Sequence, residues 1–163
     1  MLLSTKTKLL DIRKQNGVVY TPFSLASYVG EKLVDLYLSD ANNYEAKTDF
    51  RKLKIIDPAC GEGELLLASW RALVNRDNKL SNAKSILCGV DIDEESISKT
   101  AKKIKQIEPL SRTTRYNLLP TNALFPQNKK FDVNNWESFK KMFGASEGFD
   151  LLIANPPWGA NIS

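Results

Sequence analysis

The feature of this sequence that most constrains its fold is an alternation of short apolar segments with longer amphipathic ones. The apolar segments have the length of buried strands, and the segments between them place apolar residues at the spacing of one helix face. The predicted strands are Leu53–Asp57, Ser85–Asp91, Arg115–Leu119 and Phe149–Ala154, and the predicted helices are Glu64–Arg76, Glu94–Gln106 and Trp136–Phe143. This alternation predicts a doubly wound α/β fold with a mainly parallel sheet.

An N-terminal helical segment is predicted before this alternation. Ser4–Lys14 has helical spacing of its apolar residues. A second helix is predicted to start at Thr21-Pro22, with Thr21 as the N-cap and Pro22 at the first helical position. Polar residues from Ser39 to Asp49 predict a loop. Residues 1–50 are therefore interpreted as a helical segment, and residues 51–163 as the α/β domain.

Composition excludes several classes of protein. The chain has no histidine, so histidine-based triads and histidine-ligated metals are excluded, and no metal is expected. Its net charge of +4 is compatible with a polyanionic partner but is also common on ordinary surfaces. Cys60 and Cys88 lie in apolar surroundings without metal-ligand spacing and are predicted to be buried thiols. No membrane span or signal peptide is recognised, so a cytoplasmic location is expected.

The first candidate site is the loop Asp57-Pro58-Ala59-Cys60-Gly61-Glu62-Gly63, directly after the first predicted strand. Its glycines allow a sharp turn and close approach by a ligand, although an ordinary turn between a strand and a helix can also contain two glycines. A dinucleotide-binding loop would need a third glycine where Leu66 stands. The carboxylates of Asp57, Glu62 and Glu64 would repel a pyrophosphate and suit a cationic ligand, such as one with an ammonium and a sulfonium group.

Two further segments follow the next two predicted strands, at the same edge of the sheet. In Gly89-Val90-Asp91-Ile92-Asp93, the Asp91 carboxylate can accept both hydroxyls of a ribose, whereas Asp93 is better placed as a helix N-cap. In Thr121-Asn122-Ala123-Leu124, the Asn122 amide can bond an adenine edge, although a turn asparagine is an equal alternative. Together with the first loop, these segments predict a nucleoside site.

The fourth segment, Asn155-Pro156-Pro157-Trp158, follows the last predicted strand and carries the chemistry. Prolines fix the backbone and remove N–H donors, so the local carbonyls are presented as acceptors. The side-chain oxygen of Asn155 and the carbonyl of Pro156 can each accept one N–H of a substrate amino group. This withdraws the nitrogen lone pair from the aromatic ring and directs it at a methyl donor. The Trp158 ring can stack on a planar base; the alternative is a proline turn beside a half-buried tryptophan.

These segments resemble the S-adenosylmethionine-dependent amino-methyltransferases that form N6-methyladenine in DNA. The resemblance is to the methylases of restriction–modification systems whose cofactor motifs precede the catalytic one. It runs from Gly17-Val18-Val19-Tyr20-Thr21-Pro22 to Trp158, which is nearly the whole chain. It implies a Rossmann-like methyltransferase fold, S-adenosylmethionine as the cofactor, and methyl transfer to an adenine that is flipped out of double-stranded DNA.

The resemblance also implies roles for individual residues. The cofactor-binding residues would be Tyr20, Thr21, Pro22, Asp57, Ala59 and Gly61 at the methionine part, Asp91 at the ribose, and Ile92, Asn122 and Ala123 at the adenine. The catalytic corner would consist of Asn155, Pro156 and Trp158. The family more often has an aspartate at the position of Asn122, and a tyrosine or phenylalanine at that of Trp158.

The family continues beyond this corner with further strands and a target-recognition region. The resemblance therefore predicts that residues 51–163 form a partial catalytic domain, with a truncated methyltransferase fold, of a longer protein. The expected partner of that protein is double-stranded DNA, and a specificity or nuclease subunit or domain stays open.

Two alternatives to DNA methylation remain at this point. The same Asn-Pro-Pro-aromatic corner would serve an enzyme that methylates a glutamine amide in a protein or a base in RNA. The chain would otherwise be a cofactor-binding fragment without activity, since half of the expected substrate pocket lies outside it.

Overall fold

The computed structural model of the chain describes residues 20–39, 53–76, 87–107, 117–123 and 133–156. The helices and strands, in chain order, are α1 (Phe23–Ser39), β1 (Ile55–Asp57), α2 (Glu64–Val74), β2 (Leu87–Asp91), α3 (Glu94–Ile107), β3 (Leu118–Pro120), α4 (Val133–Met142) and β4 (Leu151–Leu152). The predicted Ser4–Lys14 helix, most of the predicted Ser39–Asp49 loop, and Pro157 and Trp158 lie outside the described residues. Among the described residues, no helix is long and apolar enough to cross a membrane.

In the described part of the chain, four strands form one parallel sheet in the order β3-β2-β1-β4. Ile55 of β1 lies opposite Leu87 of β2 on one side and Leu151 of β4 on the other. The first and last of the predicted strand segments are therefore parallel neighbours, in agreement with the predicted mainly parallel sheet. The chain builds outward from β1 to β3 and then returns to the other side of β1. The strand order thus reverses between β1 and β4, which is where open α/β sheets bind ligands.

The core lies on both faces of this sheet, because successive strand side chains point to opposite sides. Ile55 packs into a cluster with apolar residues of α1, α2 and α3. Ile56 packs into a second cluster with Phe139 of α4 and with Phe143, just beyond that helix. Helices on both faces of a parallel sheet confirm the predicted doubly wound α/β fold.

Helix α1 begins one residue later than predicted. Its first backbone bond runs from the N–H of Ala26 to the carbonyl of Pro22, over 2.9 Å, so Pro22 and not Thr21 has the N-cap position. The Thr21 hydroxyl accepts a hydrogen bond from Asn155 instead. Farther along α1, a Cβ added at Gly30 would lie 2.8 Å from backbone atoms of Ala68 and Ser69 in α2. Glycine at this position therefore allows α1 to pack closely on α2.

Strands β1 and β4 are shorter than the apolar runs that predicted them. Leu53 and Ile153 are both buried, at 5% exposure, yet they lie outside the paired strands. An apolar run indicates which residues are buried. At these two positions the buried residues extend beyond the residues that pair in the sheet, so the runs predicted strands that are too long. The helices differ by similar amounts: α2 ends at Val74, and α4 begins at Val133 rather than Trp136.

Candidate cofactor and catalytic site

A cleft with about 330 Å³ of empty volume lies beyond the carboxyl ends of β1 and β4. The residues that line it are Tyr20, Thr21, Asp57, Ala59, Cys60, Gly61, Glu62, Glu64, Leu65 and Asn155. The structure therefore brings six of the predicted site residues together, from three distant parts of the sequence.

The loop after β1 turns sharply into α2 at this cleft. The N–H of Gly63 donates to the carbonyl of Cys60 over 2.8 Å, and Gly61 and Gly63 have positive φ angles of 51° and 81°. A Cβ added at Gly63 would lie 2.7 Å from the Cγ2 atom of Thr100 in α3. Only glycine meets both the backbone conformation and this close approach.

The Asp91 carboxylate joins this loop to the end of β2. Its Oδ2 atom accepts the N–H of Gly61 over 2.7 Å, and its Oδ1 atom accepts the N–H of Asp93 over 2.9 Å. A carboxylate offers about four lone pairs, so these two bonds leave acceptor capacity for a ligand hydroxyl. Asp91 is thus built into the protein on one side and has the chemistry for a ribose on the other.

Asp93 caps helix α3, as predicted. Its side chain accepts hydrogen bonds from the Ser96 hydroxyl at 2.7 Å and from the N–H of Glu95 at 3.1 Å. The bond from Ser96, together with the N–H groups of this helix turn, lowers the pKa of Asp93. The two aspartates after β2 therefore have separate roles.

Asp57 is a buried carboxyl at the end of β1, with 1% exposure. Burial raises its pKa to about 7, the nearby charge of Asp91 adds to this, and a hydrogen bond from the N–H of Ala59 opposes it. A positive charge brought next to this carboxyl would favour its ionised form and lower its pKa. The cleft is therefore suited to a cationic ligand.

Glu62 and Glu64, the other two carboxylates of this loop, are paired with lysines of α3. The Nζ atom of Lys99 lies 3.0 Å from the Oε1 atom of Glu62. The Nζ atom of Lys103 lies 2.5 Å from the Oε1 atom of Glu64, and it also donates to the backbone carbonyl of Glu62 over 2.9 Å. Although partial burial acts to raise it, the pKa of Glu62 is lowered by its contacts with Lys99 and Lys103. Of the three carboxyl groups in this loop, Asp57 is the one that takes no part in these ion pairs with lysine.

Helix α3 therefore holds the loop through residues that the sequence analysis did not identify. Besides the two lysines, the Thr100 hydroxyl donates to the carbonyl of Gly61 over 2.9 Å. Lys99, Thr100 and Lys103 lie on one helix face, which is a spacing that can be read from the sequence. The pattern alone does not show that this face meets the loop.

The predicted catalytic corner begins three residues after β4. Asn155 is half-buried, lines the cleft, and donates through Nδ2 to the hydroxyl oxygen of Thr21 over 3.1 Å. Pro156 is exposed and does not line the cleft, whereas Pro157 and Trp158 lie outside the described residues. Of the predicted corner, the structure thus brings Asn155 next to the loop after β1.

Several predicted cofactor residues lie outside the lining of the cleft, namely Pro22, Asp91, Ile92, Asn122 and Ala123. Asp91 reaches its edge through Gly61, and the neighbouring Ile92 side chain is 74% exposed. Ala123 is instead a core residue that packs in the same cluster as Phe139. Asn122 is half-buried beside it.

Cys60 and Cys88 are confirmed as buried free thiols. Burial raises the pKa of Cys88 to about 12, and it also raises the pKa of Cys60. A thiol in this state is a poor nucleophile at neutral pH, although Cys60 lines the cleft.

A doubly wound sheet that brings a glycine loop and Asn155 to one cleft is compatible with an α/β methyltransferase domain. The chain belongs to the N-6 DNA methylase family, whose model matches residues 7–162. It is 28% identical over 160 residues to the type II methyltransferase M.BanIII of Aneurinibacillus aneurinilyticus. That alignment covers 94% of this chain and 24% of the relative, so the chain spans about a quarter of the relative's length. The predicted family is confirmed, and methylation by this family requires a methyl donor.

Proposed function

We propose that the complete protein transfers a methyl group from S-adenosylmethionine to the N6 amino group of adenine in double-stranded DNA, as a cytoplasmic restriction–modification methylase. The observation that carries this proposal is the presence of Asn155 in the same cleft as Asp57 and Gly61. Membership of the N-6 DNA methylase family and the likeness to a type II methyltransferase support DNA as the substrate. Because the chain spans about a quarter of that relative, the activity is assigned to the complete protein.

The residues present fit S-adenosylmethionine in three ways. The ammonium group at the methionine end would stabilise the ionised form of the buried Asp57 carboxyl, whose pKa is raised by burial. Asp91 has lone pairs for the ribose hydroxyls beyond its bonds to Gly61 and Asp93. The exposed Ile92 side chain next to it supplies an apolar surface for the adenine ring. When bound, S-adenosylmethionine would supply an electrophilic methyl group.

The chain's own contribution to the reaction is to hold the target amine. The Asn155 side-chain oxygen and the Pro156 carbonyl would each accept one N–H of that amine. Both bonds strengthen as positive charge develops on the nitrogen, so they stabilise the transition state more than the ground state. The target adenine must leave the duplex to reach this corner, and Trp158 would stack on the flipped base.

Methyl-transfer assays with the complete protein test this function. The protein is incubated with labelled S-adenosylmethionine and, in parallel, with duplex DNA, RNA and protein. The expected product is N6-methyladenine in the DNA, identified after digestion to nucleosides. If the label appears in RNA or in a glutamine amide and not in DNA, DNA is not the substrate. Cofactor binding without transfer to DNA, RNA or protein would contradict an enzymatic role.

A further inference from the structure

Thr21 and Asn155 are in contact although 134 positions separate them in the sequence. Thr21 precedes α1 and Asn155 follows β4, and both line the cleft. The Nδ2 atom of Asn155 donates to the Oγ1 atom of Thr21 over 3.1 Å. The first predicted motif of the chain thus bonds directly to the side chain that is proposed to hold the substrate.

The direction of this hydrogen bond matters because an asparagine amide has two ends of similar shape and opposite function. Its NH₂ group only donates, and its oxygen only accepts. A rotation of the Asn155 amide by half a turn would present a donor to an incoming amine and would repel its N–H groups. A hydroxyl can bind either end of an amide, and a hydroxyl that accepts from Nδ2 leaves the amide oxygen for other contacts. In this structure the Thr21 hydroxyl occupies Nδ2.

The segment that carries Thr21 makes a second contact with the cleft through Tyr20. The Tyr20 side chain hydrogen-bonds to Glu62 in the loop after β1, and Glu62 is paired with Lys99 of α3. Two consecutive residues thus connect the glycine loop to the corner after β4. The segment before α1 is fixed at both contacts.

We propose that Thr21 is a positioning residue for Asn155, whose hydroxyl holds Nδ2 so that the side-chain oxygen Oδ1 is turned to the target amine. This inference rests on the proposed methyl transfer. It gives Thr21 a role distinct from the contact with the methionine part that the family resemblance implies. A contact with the cofactor alone would act on cofactor affinity, whereas positioning of Asn155 acts on turnover.

The test is Thr21→Val in the complete protein, because valine keeps the shape of threonine and removes its hydroxyl. The turnover number at saturating cofactor and DNA is expected to fall roughly 3- to 10-fold, which corresponds to one ordinary hydrogen bond. The Kd for S-adenosylmethionine is expected to stay unchanged. Thr21→Ser, which keeps the hydroxyl, should restore turnover, and Ser24→Ala, which removes an exposed hydroxyl in the first turn of α1, is the matched control.

A double-mutant comparison separates positioning from an independent effect. In an Asn155→Ala background, Thr21→Val should cause no further loss of single-turnover rate, because the group to be positioned is gone. A full additional loss there, or unchanged turnover of Thr21→Val in the parent protein, would overturn the inference. If Thr21→Val does not fold, Thr21→Ala replaces it with the same outcomes. Absence of N6-methyladenine with the unmodified protein would instead reject the proposed function.

Discussion

The Asp91 carboxylate accepts the backbone N–H of Gly61 over 2.7 Å, across 30 positions of sequence. Asp91 ends β2, and Gly61 lies in the loop after β1, so the contact follows from the parallel pairing of these two strands. The second carboxylate oxygen is held by the N–H of Asp93. The acidic side chain is therefore fixed before a ligand arrives, which lowers the entropy lost on binding.

Asp91→Ala is expected to weaken the binding of S-adenosylmethionine to the complete protein by about 1.5–3 kcal/mol, because a hydrogen bond to a charged group has this value. Calorimetry would show this as a rise in Kd of roughly 10- to 160-fold. Glu94→Ala removes an exposed carboxylate from the first turn of α3 and should leave Kd unchanged. An unchanged Kd for Asp91→Ala would reject the ribose role.

The affinity for S-adenosylmethionine is expected to rise with pH up to about 7. In the ligand-free protein burial raises the pKa of Asp57 to about 7, so the carboxyl is mostly protonated below that pH. A cationic ligand favours its ionised form, so binding releases a proton, and affinity increases by up to about tenfold per pH unit below the pKa. Calorimetry between about pH 5.5 and 7.5 avoids most of the titration of the ligand's α-amino group, whose usual pKa is about 7.7–8.0.

The control for this pH dependence is Asp57→Asn, which keeps an oxygen to accept the N–H of Ala59 and removes the titrating group. Its affinity should be nearly independent of pH over the same range. A flat profile for the unmodified protein would show that Asp57 does not face the cationic part of the ligand.

Asn155→Ala is expected to reduce the turnover number of the complete protein while cofactor affinity stays nearly unchanged. Loss of one contact made chiefly in the transition state costs on the order of 10²–10³ in rate. Single-turnover kinetics with duplex DNA and calorimetry with S-adenosylmethionine measure the two effects separately. Asn75→Ala, which removes an exposed amide just after α2, is the control. A large rise in cofactor Kd without a loss of turnover would place Asn155 at the cofactor and not at the amine.

The order and type of the elements could be predicted from the sequence because local signals determine them. The periodicity of apolar residues separates strands from helices, and Asp93 has the side chain and position of an N-cap. The meeting of Asp57, Gly61 and Asn155 also follows from the sequence, because the carboxyl ends of neighbouring parallel strands share one edge.

Contacts that depend on how whole elements pack could not be predicted in this way. Thr21 is predicted from the sequence as a helix cap, but the approach of β4 to the start of α1 brings Asn155 to its hydroxyl. Glu62 and Glu64 looked available to a cationic ligand, but α3 places Lys99 and Lys103 against them. Both results depend on how elements that are distant in the sequence pack together, for which the sequence has no local pattern.

Gly63→Ala is expected to destabilise the protein more than Gly144→Ala does, although both glycines have positive φ angles, of 81° and 62°. Alanine in this backbone region costs about 1–2 kcal/mol at either position. At Gly144 an added Cβ meets no atom within 4 Å among the described residues, whereas at Gly63 it would lie 2.7 Å from the Cγ2 atom of the fully buried Thr100. Overpacking of this kind adds about 1–3 kcal/mol.

Denaturant unfolding of the two variants measures this difference in the free energy of unfolding. Thr100→Ser removes the Cγ2 atom and keeps the hydroxyl that donates to the carbonyl of Gly61. Combined with Gly63→Ala, it should therefore recover part of the lost stability, and combined with Gly144→Ala it should recover none. Equal losses in the free energy of unfolding for the two alanine variants would mean that Thr100 of α3 does not contact the loop closely at Gly63. Gly63→Ala should also weaken cofactor binding, because the same contact fixes the loop that brings Gly61 to Asp91. Thr100→Ser should recover part of this loss as well.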